Sequence, residues 1–232
     1  MEAGWQVLTG QSREPLVWVC EGSPYWLHNE VLSHWTHLVA SAAAAGFNLQ
    51  IASAWRGFER QQLIWNDKAA GQRPVLDAQG NTLDIGSLSE DEWLFAMLRW
   101  SAIPGCSRHH WGTDLDVFDA AAVPADYRVQ LTTEECVGEG VFANFHCWLD
   151  KKLQEPDAVF FRPYSRDNGG IAPEPWHLSC KPIAMRYEKL LDEKKLLDWL
   201  MTQNIALKDR IAVYWHEIFQ RYVCVRTETE TG

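Results

Sequence analysis

Basic residues are scarce in this sequence. It holds 21 Lys and Arg against 31 Asp and Glu, a formal net charge of −10. Its basic pairs, Lys151-Lys152 and Lys194-Lys195, each stand beside acidic residues. Such a chain offers no positive footprint for nucleic acid or for an anionic membrane surface. Long hydrophobic runs are also missing. The longest apolar stretch, Leu38 to Phe47, is interrupted by Ser41, far short of the roughly 20 apolar residues a spanning helix needs. The opening residues, Met1-Glu2-Ala3-Gly4-Trp5, lack the basic region and apolar core of an export leader. A cytoplasmic location is therefore expected, or a periplasmic or wall-associated one had a leader been removed. Six cysteines (Cys20, Cys106, Cys136, Cys147, Cys180 and Cys224) show no paired spacing, so free thiols are expected rather than a disulfide framework. Repeats, low-complexity tracts and linkers are absent too.

Tryptophan is in excess, with thirteen residues. Large aromatics line grooves for extended ligands but more often fill cores, and core is the expectation here. At 232 residues, 47% hydrophobic and 22% charged, the chain has the balance of one soluble globular domain. Residues 1–26 read as an irregular or extended segment. Leu27, Val31, Trp35, Leu38 and Ala42 recur on one helical face that stops at Gly46. Phe47, Leu49 and Ile51 alternate as a strand. A helix is expected over Phe58–Ala70 and a long loop over 71–88. Ser89 and Glu92 form a capping box for a helix reaching about Ala102, before Pro104-Gly105. A short strand around Leu115 and Val117, a helix over about Thr133–Leu153, an extended Phe160-Phe161 and a strand over Glu174–Cys180 follow. Two closing helices are expected at about Pro182–Met201 and Ala206–Tyr222. Helices mixed with non-consecutive strands predict a single α+β domain, with a core over 27–180 and C-terminal helices over 181–232 packed on it.

Two clusters carry chemistry. One is Ser107-Arg108-His109-His110-Trp111-Gly112-Thr113-Asp114-Leu115-Asp116; the other is Glu174-Pro175-Trp176-His177. They supply two imidazoles, one carboxylate ligand and a further carboxylate. A catalytic zinc site takes three such ligands and leaves one position open, and a carboxylate that is not a ligand then serves as base. His109, Asp116 and His177 with Glu174 fill these roles. Spacing alone leaves the site undecided. His109 and Asp116 need a turn at Gly112 between them. Glu174 and His177, three apart, face opposite sides of a regular strand, so a bulge or strand end is required, with which Pro175 is compatible.

These residues bear a resemblance to a known family. Ser107-x-His109-x-x-Gly112-x-x-x-Asp116 resembles the first signature of the VanY-type D-alanyl-D-alanine carboxypeptidases and related LAS metallopeptidases. Glu174-Pro175-Trp176-His177 is similar to their second, Glu-x-x-His. Ser53-Ala54-Trp55-Arg56-Gly57-Phe58-Glu59-Arg60-Gln61 resembles their Ser-Gly-Tyr-Arg-Ser-x-x-x-Gln segment. The three stand in family order within residues 28–180. The resemblance implies a small, mostly antiparallel sheet flanked by helices. It implies Zn2+ on His109, Asp116 and His177, Glu174 as general base, and Arg56 at the developing oxyanion. Ser107 and Gln61 would hold substrate, a peptidoglycan-derived peptide losing its C-terminal D-alanine. One departure is Asp114, where the family carries Ala. On the same strand face as Asp116, it stands as a partner of a ligand His or as a competing ligand.

Alternatives accompany these readings. His110 is expected to point away from the metal, as a supporting or surface group. His28, His34, His37, His146 and His216 read as surface or satisfied core, and Cys106 near His109 as a weak candidate nucleophile. Competing functions are an L,D-carboxypeptidase or phage-lysin-type endopeptidase of the same fold, a zinc-containing module that only binds cell-wall peptides, and a tryptophan-rich interaction protein.

Overall fold

The computed structural model describes residues 3–78 and 80–225. Short elements follow one another: α1 (Ala3–Leu8), β1 (Leu16–Trp18), β2 (Trp26–His28), α2 (Val31–Ala44), β3 (Leu49–Ser53), α3 (Phe58–Ala69) and α4 (Glu90–Leu98). Then come β4 (Asp114–Asp119), α5 (Thr133–Cys136), α6 (Ala143–Leu153), β5 (Phe160–Phe161), β6 (His177–Cys180), α7 (Lys181–Glu188), α8 (Glu193–Leu200), α9 (Lys208–Val213) and α10 (Trp215–Ile218). A π-helical turn over Phe219–Val223 closes the described chain. The class is α+β. A four-stranded sheet in the order β3-β4-β6-β5, antiparallel throughout, is accompanied by a β1-β2 hairpin. Among the described residues no helix is long and apolar enough to cross a membrane.

The sheet separates two chemistries because side chains alternate along a strand. Leu115 and Val117 of β4 and Leu178 and Cys180 of β6 enter one core, with Trp35 and Leu38 of α2 and Phe145 and Leu149 of α6. The intervening residues, Asp114, Asp116, His177 and Ser179, take the other face and are still buried. A second core joins Leu94 and Met97 of α4, Trp65 of α3 and Leu200 of α8 with Ile211 and Ile218. Seven of the thirteen tryptophans are buried; Trp18 is 50% exposed and stacks on Trp26 at 3.7 Å between ring centroids.

Several expectations need correction. Residues 1–26 are not irregular throughout: α1 forms, and its Trp5 and Leu8 are buried in the second core. Leu27 belongs to β2, so α2 begins at Val31. The capping box at Ser89 and Glu92 forms, but its helix ends at Leu98. The 133–153 helix is broken around Gly138 and Gly140. Gly138 adopts φ +61°, and a Cβ on Gly140 would lie 2.0 Å from the Glu134 carbonyl oxygen. The closing pair of helices is four short helices and the π turn. Asp192 caps α8 by accepting from the Lys195 backbone N–H, and Leu207 before α9 has φ +61°.

Gly112 joins the turn carrying His109 to β4. Its φ is +69°, and a Cβ there would meet Leu16 Cδ2 at 2.5 Å and the His28 nitrogen at 2.8 Å. Left-handed backbone alone costs a residue with a Cβ roughly 1–2 kcal/mol. For a chain of this size each kcal/mol moves Tm by about 2–4 °C. Gly112→Ala is therefore expected to lower Tm by roughly 5 °C in a thermal melt; an unchanged Tm would show that this turn tolerates a side chain.

Candidate metal centre

β4 and β6 set two candidate metal ligands opposite each other. Their register pairs Asp116 with His177 and Asp114 with Ser179. His109 arrives from the 3-10 turn Arg108–Trp111, which Gly112 ends in left-handed conformation. Glu174 and His177 share one side because the chain turns just before the strand: the His177 N–H donates to the Glu174 carbonyl at 3.1 Å, and β6 begins only at His177. Of the two sequence options, a bulge or a strand end, the strand end occurs.

His109, Asp116 and His177 each offer a ligand atom within 4.8 Å of the others. His109 Nε2 lies 3.5 Å from Asp116 Oδ2, and His177 Nδ1 3.1 Å from Asp116 Oδ1. With metal–ligand bonds near 2.1 Å, donors around a tetrahedral zinc are roughly 3.3 Å apart, so the spacing suits the ion. Asp116 Oδ1 and His109 Nδ1 are buried without hydrogen-bond partners among the described residues, although Oδ1 lies 3.1 Å from His177 Nδ1. An unsatisfied buried carboxylate oxygen is unfavourable, and a cation would relieve it.

Protonation follows from the surroundings. Burial pushes His109 down to about 4, leaving the neutral imidazole that a metal requires. Burial would also depress His177, but the adjoining carboxylates of Asp114, Asp116 and Glu174 outweigh it and raise its pKa well above the ordinary value. Glu174, with Oε2 3.3 Å from His177 Nδ1, is raised by burial against the opposing pull of His177 and Arg56.

Asp114 is placed behind the ligands. Its Oδ1 lies 3.0 Å from His177 Nε2 and accepts from Arg108 Nε at 2.9 Å. Its Oδ2 accepts from Thr113 Oγ1 at 2.5 Å and Ser179 Oγ at 3.0 Å. Burial alone would raise its pKa, but Arg108, His177 and Thr113 hold it well below the usual carboxylate range. By taking the Nε2 side of His177 it turns Nδ1 toward Asp116. Arg108 also donates to Glu188 at 2.8 Å and Ser179 at 2.8 Å.

Arg56 lines the pocket in front of this cluster. Its Nη1 donates to Gln61 Oε1 at 2.7 Å and its Nη2 to Ser53 Oγ at 3.2 Å. A register shift between Ile51 and Ser53 of β3 re-aims that serine. Gln61, expected to contact substrate, is 1% exposed and spends its other end on the Ala102 carbonyl at 2.7 Å; its role is to hold Arg56. Ser107 does line the pocket. Cys106 is buried, and burial pushes its thiol up to about 12, which argues against a nucleophile.

His110 is neither surface nor idle. Its Nε2 accepts from the Gly105 N–H at 3.0 Å, so in the neutral ring Nδ1 carries the proton and donates it to the Arg56 carbonyl at 2.5 Å. Burial keeps it neutral, with a pKa pushed down to about 3. The N-terminal segment backs this ring: a Cβ on Gly10 (φ +77°) would fall 2.4 Å from His110 Nδ1. Leu131, in left-handed conformation at φ +57°, also reaches the pocket. No motif marks Leu131, and nothing in the sequence signals its strain.

Comparison with known proteins agrees with this arrangement. Residues 24–183 match the family model described as VanY: D-alanyl-D-alanine carboxypeptidase. The chain belongs to this family. A VanY D,D-pentapeptidase from a VanB-type vancomycin-resistance cassette, solved as a mutant with Zn(II), shares the fold at 22% identity and TM-score 0.51, over 78% of this chain and 88% of that one. The LdcB LD-carboxypeptidase shares it at 17% identity and TM-score 0.50, over 76% and 72%. An uncharacterised Haemophilus influenzae protein is 46% identical over 100 residues, 42% of this chain and 68% of its own length. Family and fold are thus of hydrolase type, with a possible metal site on the VanY signature residues.

Two measurements test the VanY-type centre. Asp114→Asn removes the charge behind His177, and changes at such supporting positions cost roughly 10–100-fold in metal affinity; competition with a chelating dye should show a loss of that size. The raised His177 pKa means that metal-free protein holds a proton there. The stabilisation it provides is complete below the ordinary imidazole pKa and is lost as pH rises through the raised value. A metal ion bound there would have to displace that proton, so zinc affinity should climb from pH 6 to pH 8; a flat profile would contradict protonation of His177.

Proposed function

We propose that this protein is a zinc-dependent carboxypeptidase that removes the C-terminal D-alanine from peptidoglycan stem peptides. The observation that carries the reading is the convergence of His109 Nε2, Asp116 and His177 Nδ1, with Glu174 Oε2 3.3 Å from His177 Nδ1. A pure binding site has no use for a carboxylate so placed. Zinc held there would supply Lewis acidity and bring the pKa of a water to about 7.

The chain's own groups supply the rest. Glu174 takes a proton from the attacking water as its oxygen bonds to the carbonyl carbon. It returns that proton to the amine nitrogen as the C–N bond breaks, and the remaining hydroxyl proton follows it, leaving a carboxylate and an ammonium. Its pKa, raised by burial, suits a group that accepts and then donates. Arg56, fixed by Gln61, Ser53 and the His110 bond to its carbonyl, faces the pocket and offsets charge growing on the carbonyl oxygen. Leu131, Ile171 and Trp176 wall the pocket with apolar surface. The D-alanyl substrate is supported by the VanY family model and by the signature residues.

The test pairs wild type with Glu174→Gln, with metal content measured for both. On UDP-MurNAc-pentapeptide, wild type should hold one zinc and release one alanine. Glu174→Gln should keep its zinc and lose roughly 10²–10⁴-fold in turnover. Cleavage of the tetrapeptide in place of the pentapeptide would favour the L,D-carboxypeptidase reading. Protein purified and reconstituted without zinc uptake would overturn the proposal.

A further inference from the structure

One cation that lines the pocket, Lys68, belongs to no motif. Lys68 lies seven residues after Gln61 on α3, and two helical turns place both on one side of the helix. They reach consecutive residues beyond α4: Gln61 Nε2 donates to the Ala102 carbonyl at 2.7 Å, and Lys68 Nζ to Ser101 Oγ at 2.5 Å. Lys68 and Ser101 line the same pocket as Arg56, Ser107 and Glu174.

Among the described residues Lys68 forms no ion pair, and the carboxylate that acts on it, Glu174, does so without direct contact. The hydrogen-bond partner of Lys68 among them is Ser101 alone, a neutral hydroxyl. Burial, then repulsion from Arg56 and Arg73, pulls its pKa down to about 8 against a weaker attraction from Glu174, the behaviour of an ammonium short of compensating charge. One of its three protons is engaged, leaving two to donate. Ser101, accepting from Lys68, keeps its own hydroxyl proton for a ligand. Arg56 differs, since both its terminal nitrogens are tied to Gln61 and Ser53. Three cations, Arg56, Lys68 and Arg108, therefore line one small pocket with the carboxylates Asp116 and Glu174, and Arg108 is already paired with Asp114 and Glu188. The pocket volume of about 290 Å³ lies at the bottom of the range for small-ligand sites.

We propose that Lys68, with Ser101, binds the free C-terminal carboxylate of the peptide and so restricts the site to the end of a chain. A carboxylate restores the charge balance that burial of Lys68 upsets. A peptide bond in mid-chain or an amidated terminus brings no charge, and leaves the ammonium desolvated and unpaired. The pocket then discriminates by penalising ligands without an anion, which an exopeptidase requires and an endopeptidase does not. This inference rests on the hydrolytic reading above, yet it concerns recognition and has its own readout.

The experiment compares peptides ending in D-Ala-D-Ala as free acid and as C-terminal amide, with zinc-loaded wild type, Lys68→Met and Lys68→Arg. Wild type should strongly prefer the acid. Truncating one partner of a buried charge pair costs 2 kcal/mol or more, so Lys68→Met should raise KM for the acid by at least about 30-fold. Its kcat should change far less, the amide should be affected less than about 3-fold, and Lys68→Arg should recover part of the loss. Equal use of acid and amide by wild type, or an unchanged KM in Lys68→Met, would overturn the proposal while leaving hydrolysis intact. Calorimetry with Glu174→Gln, alone and combined with Lys68→Met, reads the same preference without turnover. Tighter binding of the acid that vanishes with Lys68 supports the anchor even if no bond is cut, and equal binding of acid and amide overturns it.

Discussion

Three carboxylates, Asp114, Asp116 and Glu174, surround the single imidazole of His177 in the protein interior. Buried charges of one sign are tolerated only with compensation close at hand, and the neighbourhood is organised around supplying it. Arg108 answers Asp114 from behind. Arg56 faces Asp116 and Glu174 from the pocket, where the pull of both opposes the desolvation of its own charge. In the metal-free protein, a proton on His177 contributes the remainder. A divalent cation between His109, Asp116 and His177 would complete the balance and release that proton.

This requirement explains why strands of alternating character lie at the centre. β4 and β6 bury both faces, but only one is hydrocarbon; the other carries Asp114, Asp116, His177 and Ser179. The apolar face fixes strand position through Leu115, Val117 and Leu178. The polar face inherits that position, and the cross-strand pair Asp116–His177 follows from register. A slip of one residue would exchange the two faces. The rigidity of the site therefore comes from hydrophobic packing on the side away from the chemistry.

The support around the site comes from residues distant in sequence. Gly10 leaves room for His110, and Trp111 Nε1 donates to the Leu8 carbonyl, so the N-terminal segment backs the active face. His110 ties the Arg56 carbonyl to the Gly105 amide. Gln61 and Lys68 clamp α3 onto residues 101–102, a few positions ahead of Ser107 and His109. The pocket residues Arg56 and Lys68 and the candidate metal ligand His109 are joined through one short segment.

Much of this was legible from residue types and spacing. The alternation of β4, the capping box at Ser89, the stop at Gly46, the turn at Gly112 and the three signature segments all depend on nearest neighbours along the chain, where steric and hydrogen-bonding rules act over a few residues. Residue types also pointed to His109, Asp116 and His177, which the fold brings within 4.8 Å of one another as a possible metal site. Tertiary structure alone decided which nitrogen of His177 faces Asp114, that Gln61 bonds Arg56, that His110 is a neutral donor, and that Lys68 stands in the pocket against Ser101. Each of these depends on which groups from remote segments meet in a desolvated space. Burial and charge pairing there are sums over the folded surroundings, and they have no counterpart in the order of residues along the chain.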